Sequence, residues 1–112
     1  MNVTNKTLLP ECEVDLLLRK LMSKWTAHIL WILLMHGEQR FGYLRKQLVY
    51  VSPKVLTDRL RMLEDEGYVV RTFVAQVPPK VSYRLSDRGA EIAKIVHQLV
   101  ELAAELPDIS RS

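Results

Sequence analysis

The sequence predicts a mainly α-helical domain with one small β-hairpin. Apolar residues recur at three and four positions through most of the segments before residue 67. Residues 68–85 are instead rich in Val, Tyr, Phe and Thr and are broken by Pro78-Pro79. From Ser86 onward the helical period returns and runs to Leu106. At 112 residues the chain has room for one domain and one core.

Composition narrows the class. Apolar residues at 48% and charged residues at 26% are the balance of a soluble globular protein, not of a disordered chain. The longest apolar run, Ala27 to Met35, is interrupted by His28 and is too short to span a bilayer, so no membrane partner is expected. With no secretory signal pattern, the expected compartment is the cytoplasm. The single cysteine, Cys12, excludes an internal disulfide framework and leaves an intermolecular one open. Sixteen Lys plus Arg against thirteen Asp plus Glu leave +3, a weak hint of a polyanion partner, so the placement of the cations matters more than their sum.

Residues 1–9 have no apolar period and are expected to form a flexible arm; 10–106 form the domain and 107–112 a tail. Pro10 suits the first position of a helix carrying Val14, Leu17, Leu18 and Leu21. Ser23 reads as the N-cap of a second helix, Lys24 to His36, on which Trp25, Ile29, Ile32 and Leu33 share a face and Leu30, Trp31 and Leu34 widen it; Gly37 ends it. A polar turn, Gly37 to Arg40, leads to a short helix ending at Leu48 on the spacing of Phe41, Leu44 and Leu48. After Val49 to Ser52 comes a helix with both ends set locally: Ser52 caps it, Pro53 fits its first position, and Gly67 can take the left-handed conformation beyond its end. Leu56, Leu60 and Leu63 form its inner stripe; Lys54, Asp58, Arg61 and Asp65 lie roughly opposite, with Thr57 at the edge. Strands are expected at Tyr68–Val74 and Val81–Leu85 around a turn at Ala75–Lys80, and Ser86 caps the last helix.

Two short helices around a tight turn, followed by a hairpin, give the order of a winged helix-turn-helix domain with one extra helix at each end for dimerisation. In that arrangement the second helix enters the major groove of double-stranded DNA, with base edges read by its outer side chains and phosphates gripped by cations. The candidates are Ser52, Lys54, Thr57 and Arg61, with Arg59 at the flank placed for a phosphate. Arg61 is the first candidate for base readout because a guanidinium pairs bidentately with guanine; Asp58 buffers the helix charge. Arg71, Gln76, Lys80 and Arg84 on the hairpin can lie along the sugar-phosphate backbone or enter the minor groove, and Arg40, Arg45 and Lys46 around the preceding helix add backbone contacts. Taken singly, each cation is better explained as ordinary solvated surface; their convergence on one motif is what favours DNA.

Several blocks resemble the HxlR-type regulators of the MarR-like winged-helix group. They are Cys12 before an acidic and apolar helix, Lys24-Trp25, Arg40-Phe41 followed by Tyr43-Leu44-Arg45, SPKVLTDRLRMLEDEGYVVR from Ser52 to Arg71, and PPKVSYRLSDRG from Pro78 to Gly89. The chain departs where that family usually has glycine, at Ser23, and V-E-Y, at Val81-Ser82-Tyr83. The resemblance implies a cytoplasmic homodimer that binds an inverted-repeat operator and controls nearby genes. It also implies a sensing role for Cys12, since cysteines at the matching position in several members respond to electrophiles or oxidants. A helix N-terminus favours the thiolate while Glu11 and Glu13 oppose it, and a free cysteine packed as an inert apolar residue is the competing reading. The apolar stripe of Ile92, Ile95, Val96, Leu99, Leu102, Ala103 and Leu106, with Leu17 and Leu21 of the first helix, is the expected dimer interface.

Nothing points to catalysis, a metal or a cofactor. His28, His36 and His97 are scattered, and the chain has no Gly-rich phosphate loop, nucleophile elbow or paired carboxylates. Trp25, Trp31, Phe41, Tyr43 and Tyr50 are the residues for a small apolar effector pocket, with plain core packing as the alternative. The rival function class is a winged-helix module for protein association, which would bind DNA weakly and with almost no salt dependence.

Overall fold

The computed structural model describes residues 11–105; the N-terminal arm, Pro10, Leu106 and the tail lie outside them. Five helices and three short strands follow in the order α1 (Glu11–Leu21), α2 (Thr26–His36), β1 (Gln39–Arg40), α3 (Phe41–Gln47), α4 (Pro53–Asp65), β2 (Val69–Val74), β3 (Lys80–Leu85) and α5 (Asp87–Glu105).

The core gathers around α2, whose Ile29, Leu30, Ile32 and Leu33 are buried. Leu44 and Leu48 close it from the α3 side, and Leu56, Leu60 and Leu63 from α4. Each of these leucines gains about 1.5–3 kcal/mol from leaving water, which holds the polar face of α4 outward. The cap of α4 forms as its sequence dictates: Ser52 Oγ accepts from Val55 N at 3.1 Å. Its other end closes through Gly67 at φ +81, with Tyr68 N donating to Leu63 O at 2.9 Å. That is the bond pattern of a glycine-ended helix whose last carbonyls find partners just beyond it.

The chain differs from expectation in two places. Ser23 does not cap α2. The helix begins at Thr26, preceded by Trp25 in the left-handed region at φ 77. Ser23 Oγ instead donates to Lys20 O at 2.7 Å and lies 2.6 Å from Thr26 Oγ1, so its hydroxyl holds a compact turn between two helices and is not free for a helix start. The second difference is β1, in a segment expected to be a turn. Gln39 and Arg40 pair with Tyr83 and Ser82 of β3, making an antiparallel sheet of order β1-β3-β2. A two-residue strand has no periodicity to read, and it forms because β3 offers a free edge.

The wing pairs β2 with β3 from Val69↔Leu85 to Val74↔Lys80. Ser86 then starts α5, accepting Gly89 N on its hydroxyl at 3.0 Å and Ala90 N on its carbonyl at 2.8 Å. α5 lies chiefly along α2. Within α1 no residue is buried; Leu17 and Leu21 only lean on the core.

Candidate DNA-binding surface

Sheet pleating divides the wing cations into two groups. Successive side chains of a strand alternate faces, so Arg71 and its partner Tyr83 share one side while Lys80, Ser82 and Arg84 share the other. On the first side, Arg71 and Tyr83 meet Thr57, Arg61 and Glu64 around a cleft of about 350 Å³ between α4 and the wing. Arg71 also lies over the Phe73 ring, 5.9 Å from its centroid, an orienting cation–π contact. The structure thus brings Thr57, Arg61 and Arg71 together.

On the other side, Lys80 and Ser82 join Glu38, Arg40, Tyr43 and Lys46 around an open cleft of about 730 Å³. Glu38 is its one acid, and its carboxylate accepts a hydrogen bond from the buried Ser82 hydroxyl. Arg45 and Lys46 continue the positive surface along α3. Among the described residues, Arg40, Arg45, Lys46, Arg61, Arg71, Lys80 and Arg84 have no carboxylate within 4.0 Å, so they present net positive charge. Arg84 is exposed opposite Val70, away from the α4 cleft.

The remaining candidates on α4 are partly occupied. Ser52 spends its oxygen on the cap. Lys54 is exposed and 3.6 Å from Asp58, which fits the buffering role of that acid. Arg59 donates its Nε to Lys24 O at 2.9 Å, tying α4 to the turn before α2.

Outside this surface, apolar side chains remain in water. Ile95, Leu99 and Leu102 on α5 are more than half exposed, as are Leu16 and Leu18 on α1. Of the other expected interface residues, Leu17, Leu21 and Ile92 pack partly on their own core, Ala103 is exposed, and Val96 lines a shallow cleft of about 350 Å³ with Ala27, His28, Trp31 and Val100. Trp31 Nε1 donates to His97 Nδ1 at 3.2 Å beside it. Trp25, Trp31, Phe41 and Tyr43 pack against the core, whereas Tyr50 is exposed. Cys12 is exposed on the protomer. Glu64 of α4 and Tyr83 of β3 are two cleft residues that sequence reasoning missed as site residues; for Tyr83 the strand register, which sets it opposite Arg71, is what carries it there.

A capped helix presenting Thr57 and Arg61 beside a cationic wing defines a winged helix-turn-helix transcription regulator. The chain belongs to the HxlR-like helix-turn-helix family, whose pattern matches residues 20–110. It is 37% identical over 90 residues to the HTH-type transcriptional regulator YvaP of Bacillus subtilis, covering 80% of this chain and 82% of that one. To YybR of the same organism it is 35% identical over 101 residues, 90% of this chain and 80% of the other. Among solved structures, the redox regulator HypR in its oxidized form superposes with a TM-score of 0.75 at 35% identity, covering 88% of this chain and 100% of that one. The HTH-type regulator ytcD superposes with a TM-score of 0.72 at 34% identity, covering 81% and 92%. These relatives are transcription regulators, not enzymes. Among the described residues, no helix is long and apolar enough to cross a membrane.

Proposed function

We propose that this protein acts in the cytoplasm as a homodimer that reads an inverted-repeat operator with one α4 helix per half-site. The observation that carries this reading is the cleft shared by Thr57, Arg61 and Arg71, where a reading helix and a wing cation converge on one face. Arg61 supplies base readout, Arg71 and Lys80 grip phosphates, and Arg40 with Lys46 clamps the backbone beside α3. Exposed Ile95, Leu99 and Leu102 supply the surface on which a second copy packs. The test is binding to duplexes selected from a random library across a salt series. A regulator of this kind selects a palindromic sequence and loses affinity steeply with salt; failure to enrich any sequence overturns the reading.

Cys12 adds an oxidant response to this proposal. Its exposure on α1 and the similarity to a redox regulator support that role. With one cysteine per chain, oxidation joins two chains or couples Cys12 to a small thiol. Operator binding before and after diamide, in the wild type and in Cys12→Ser, tests it; identical responses of the two proteins sink the sensor. A small apolar effector is assigned to the cleft beside Trp31, where titration of Trp31 fluorescence with aromatic compounds reports binding.

A further inference from the structure

The turn of the helix-turn-helix motif carries an aromatic side chain, Tyr50, that stands in solvent. Leu48 and Val51 are buried on the core, and Val51 N donates to Leu48 O at 3.0 Å, so the turn is pinned at both ends. Between these anchors, Val49 and Tyr50 are pushed outward, and Tyr50 is 89% exposed. It stands two residues before the Ser52 cap, immediately upstream of the helix that reads DNA.

We propose that Tyr50 is a DNA-positioning residue: its hydroxyl donates to a backbone phosphate at the edge of the half-site, and its ring lies on the adjoining sugar. This rests on the operator-binding reading above. The neighbouring charges select the partner. Along the chain Tyr50 falls between the exposed cations Arg45 and Lys46 on one side and Lys54 on the other, and no carboxylate lies within 4.0 Å of Arg45 or Lys46 among the described residues. A tyrosine set among cations suits a polyanion, whereas the centre of a protein interface is depleted of charge. Because Leu48 and Val51 anchor the turn on either side of Tyr50, little backbone ordering accompanies contact, so a single hydroxyl is felt in the affinity.

A neutral donor has a signature that a lysine lacks: it strengthens binding without neutralising a phosphate, so it leaves the salt slope alone. The experiment measures Kd of wild type, Tyr50→Phe, Tyr50→Ala and Lys46→Ala over a salt series on the best duplex from the random library. Tyr50→Phe is expected to weaken binding roughly fivefold and Tyr50→Ala roughly tenfold or more, at unchanged slope. Lys46→Ala is expected to lower the slope by about one. A duplex with a neutral methylphosphonate at the contacted position should abolish the difference between wild type and Tyr50→Phe. Wild-type binding with both Tyr50 variants unaffected overturns this proposal alone. So does dissociation of the Tyr50→Ala dimer in sedimentation, which makes the turn a surface for the second copy. Absence of any selected duplex overturns the operator reading and this proposal together.

Discussion

The backbone oxygen of Tyr68 occupies the place where a side chain on Gly89 would begin: a Cβ there would lie 1.8 Å from that oxygen and 2.8 Å from its carbonyl carbon. Both are main-chain atoms, so no rotamer change relieves the clash. The contact is stitched by Ser86, whose backbone N–H donates to Tyr68 O at 3.1 Å and whose hydroxyl donates to Gly67 O at 2.6 Å. The first turn of α5 is therefore pressed onto the corner between α4 and the wing.

Gly89→Ala should destabilise the fold by about 2–4 kcal/mol, because the overlap outweighs the roughly 1 kcal/mol that alanine gains over glycine within a helix. Urea unfolding monitored at the tryptophans measures this; equal or greater stability would mean that the corner yields.

Removing the cap at Ser52 acts at the other end of α4. Ser52→Ala is expected to cost about 1 kcal/mol by leaving Val55 N without its partner. Calorimetry gives the loss, and Ser52→Asp should recover most of it. No recovery would deny the hydroxyl its capping role.

The two arginines of the α4 cleft should separate by kind of contact. Arg61→Ala is expected to cost about 1–3 kcal/mol on the preferred operator and to relax specificity at one base pair, while Arg71→Ala weakens all sequences alike and reduces the salt slope by about one. Competition against single-base operator variants distinguishes the two patterns. If Arg61→Ala leaves base preference unchanged, another residue reads the sequence.

Leu99→Glu should yield a folded monomer. In the protomer this side chain is 58% exposed, so the charge is tolerated before association and opposed only within a second-copy interface. Light scattering reports the mass and circular dichroism the retained helix; a dimer of unchanged affinity would place the interface elsewhere.

Legibility in the sequence followed how local the cause was. The limits of α4 are chemically local, and Ser52, Pro53 and Gly67 announce them. The inner leucines were readable from period alone, and their burial is complete or nearly so. Ser23 looked like a cap because its residue type is right, but the Lys20 carbonyl and the Thr26 hydroxyl compete for its hydrogen bonds from both sides of a turn. Distant pairing was opaque. The two-residue strand β1 depends on β3, more than forty positions away by its register of Gln39↔Tyr83. The cations of the wing appeared as one set because strand register and facing are tertiary facts, and pleating sent Arg71 and Lys80 to opposite sides. The missing acid at Ser82 is likewise restored from elsewhere, since Glu38 brings its carboxylate to that hydroxyl.

Two contacts, the first described above, reach from α4 and its C-terminal cap back toward the beginning of the chain. Arg59 holds the Lys24 carbonyl, and Glu66, just beyond the last turn, holds the Lys20 ammonium in an ion pair at the end of α1. The last turn of α1 and the turn that follows it are thereby tied to α4 and its end, like an axle fixed to a wheel. In a dimer joined through α1 and α5, tilting α1 changes the distance between the two reading helices. Successive major grooves on one side of DNA recur at a fixed interval of about 34 Å. On the proposed dimer, gauge would be the controlled variable: a small rotation of α1, which also bears Cys12, would leave every DNA-facing side chain intact yet move one half-site out of step with the other.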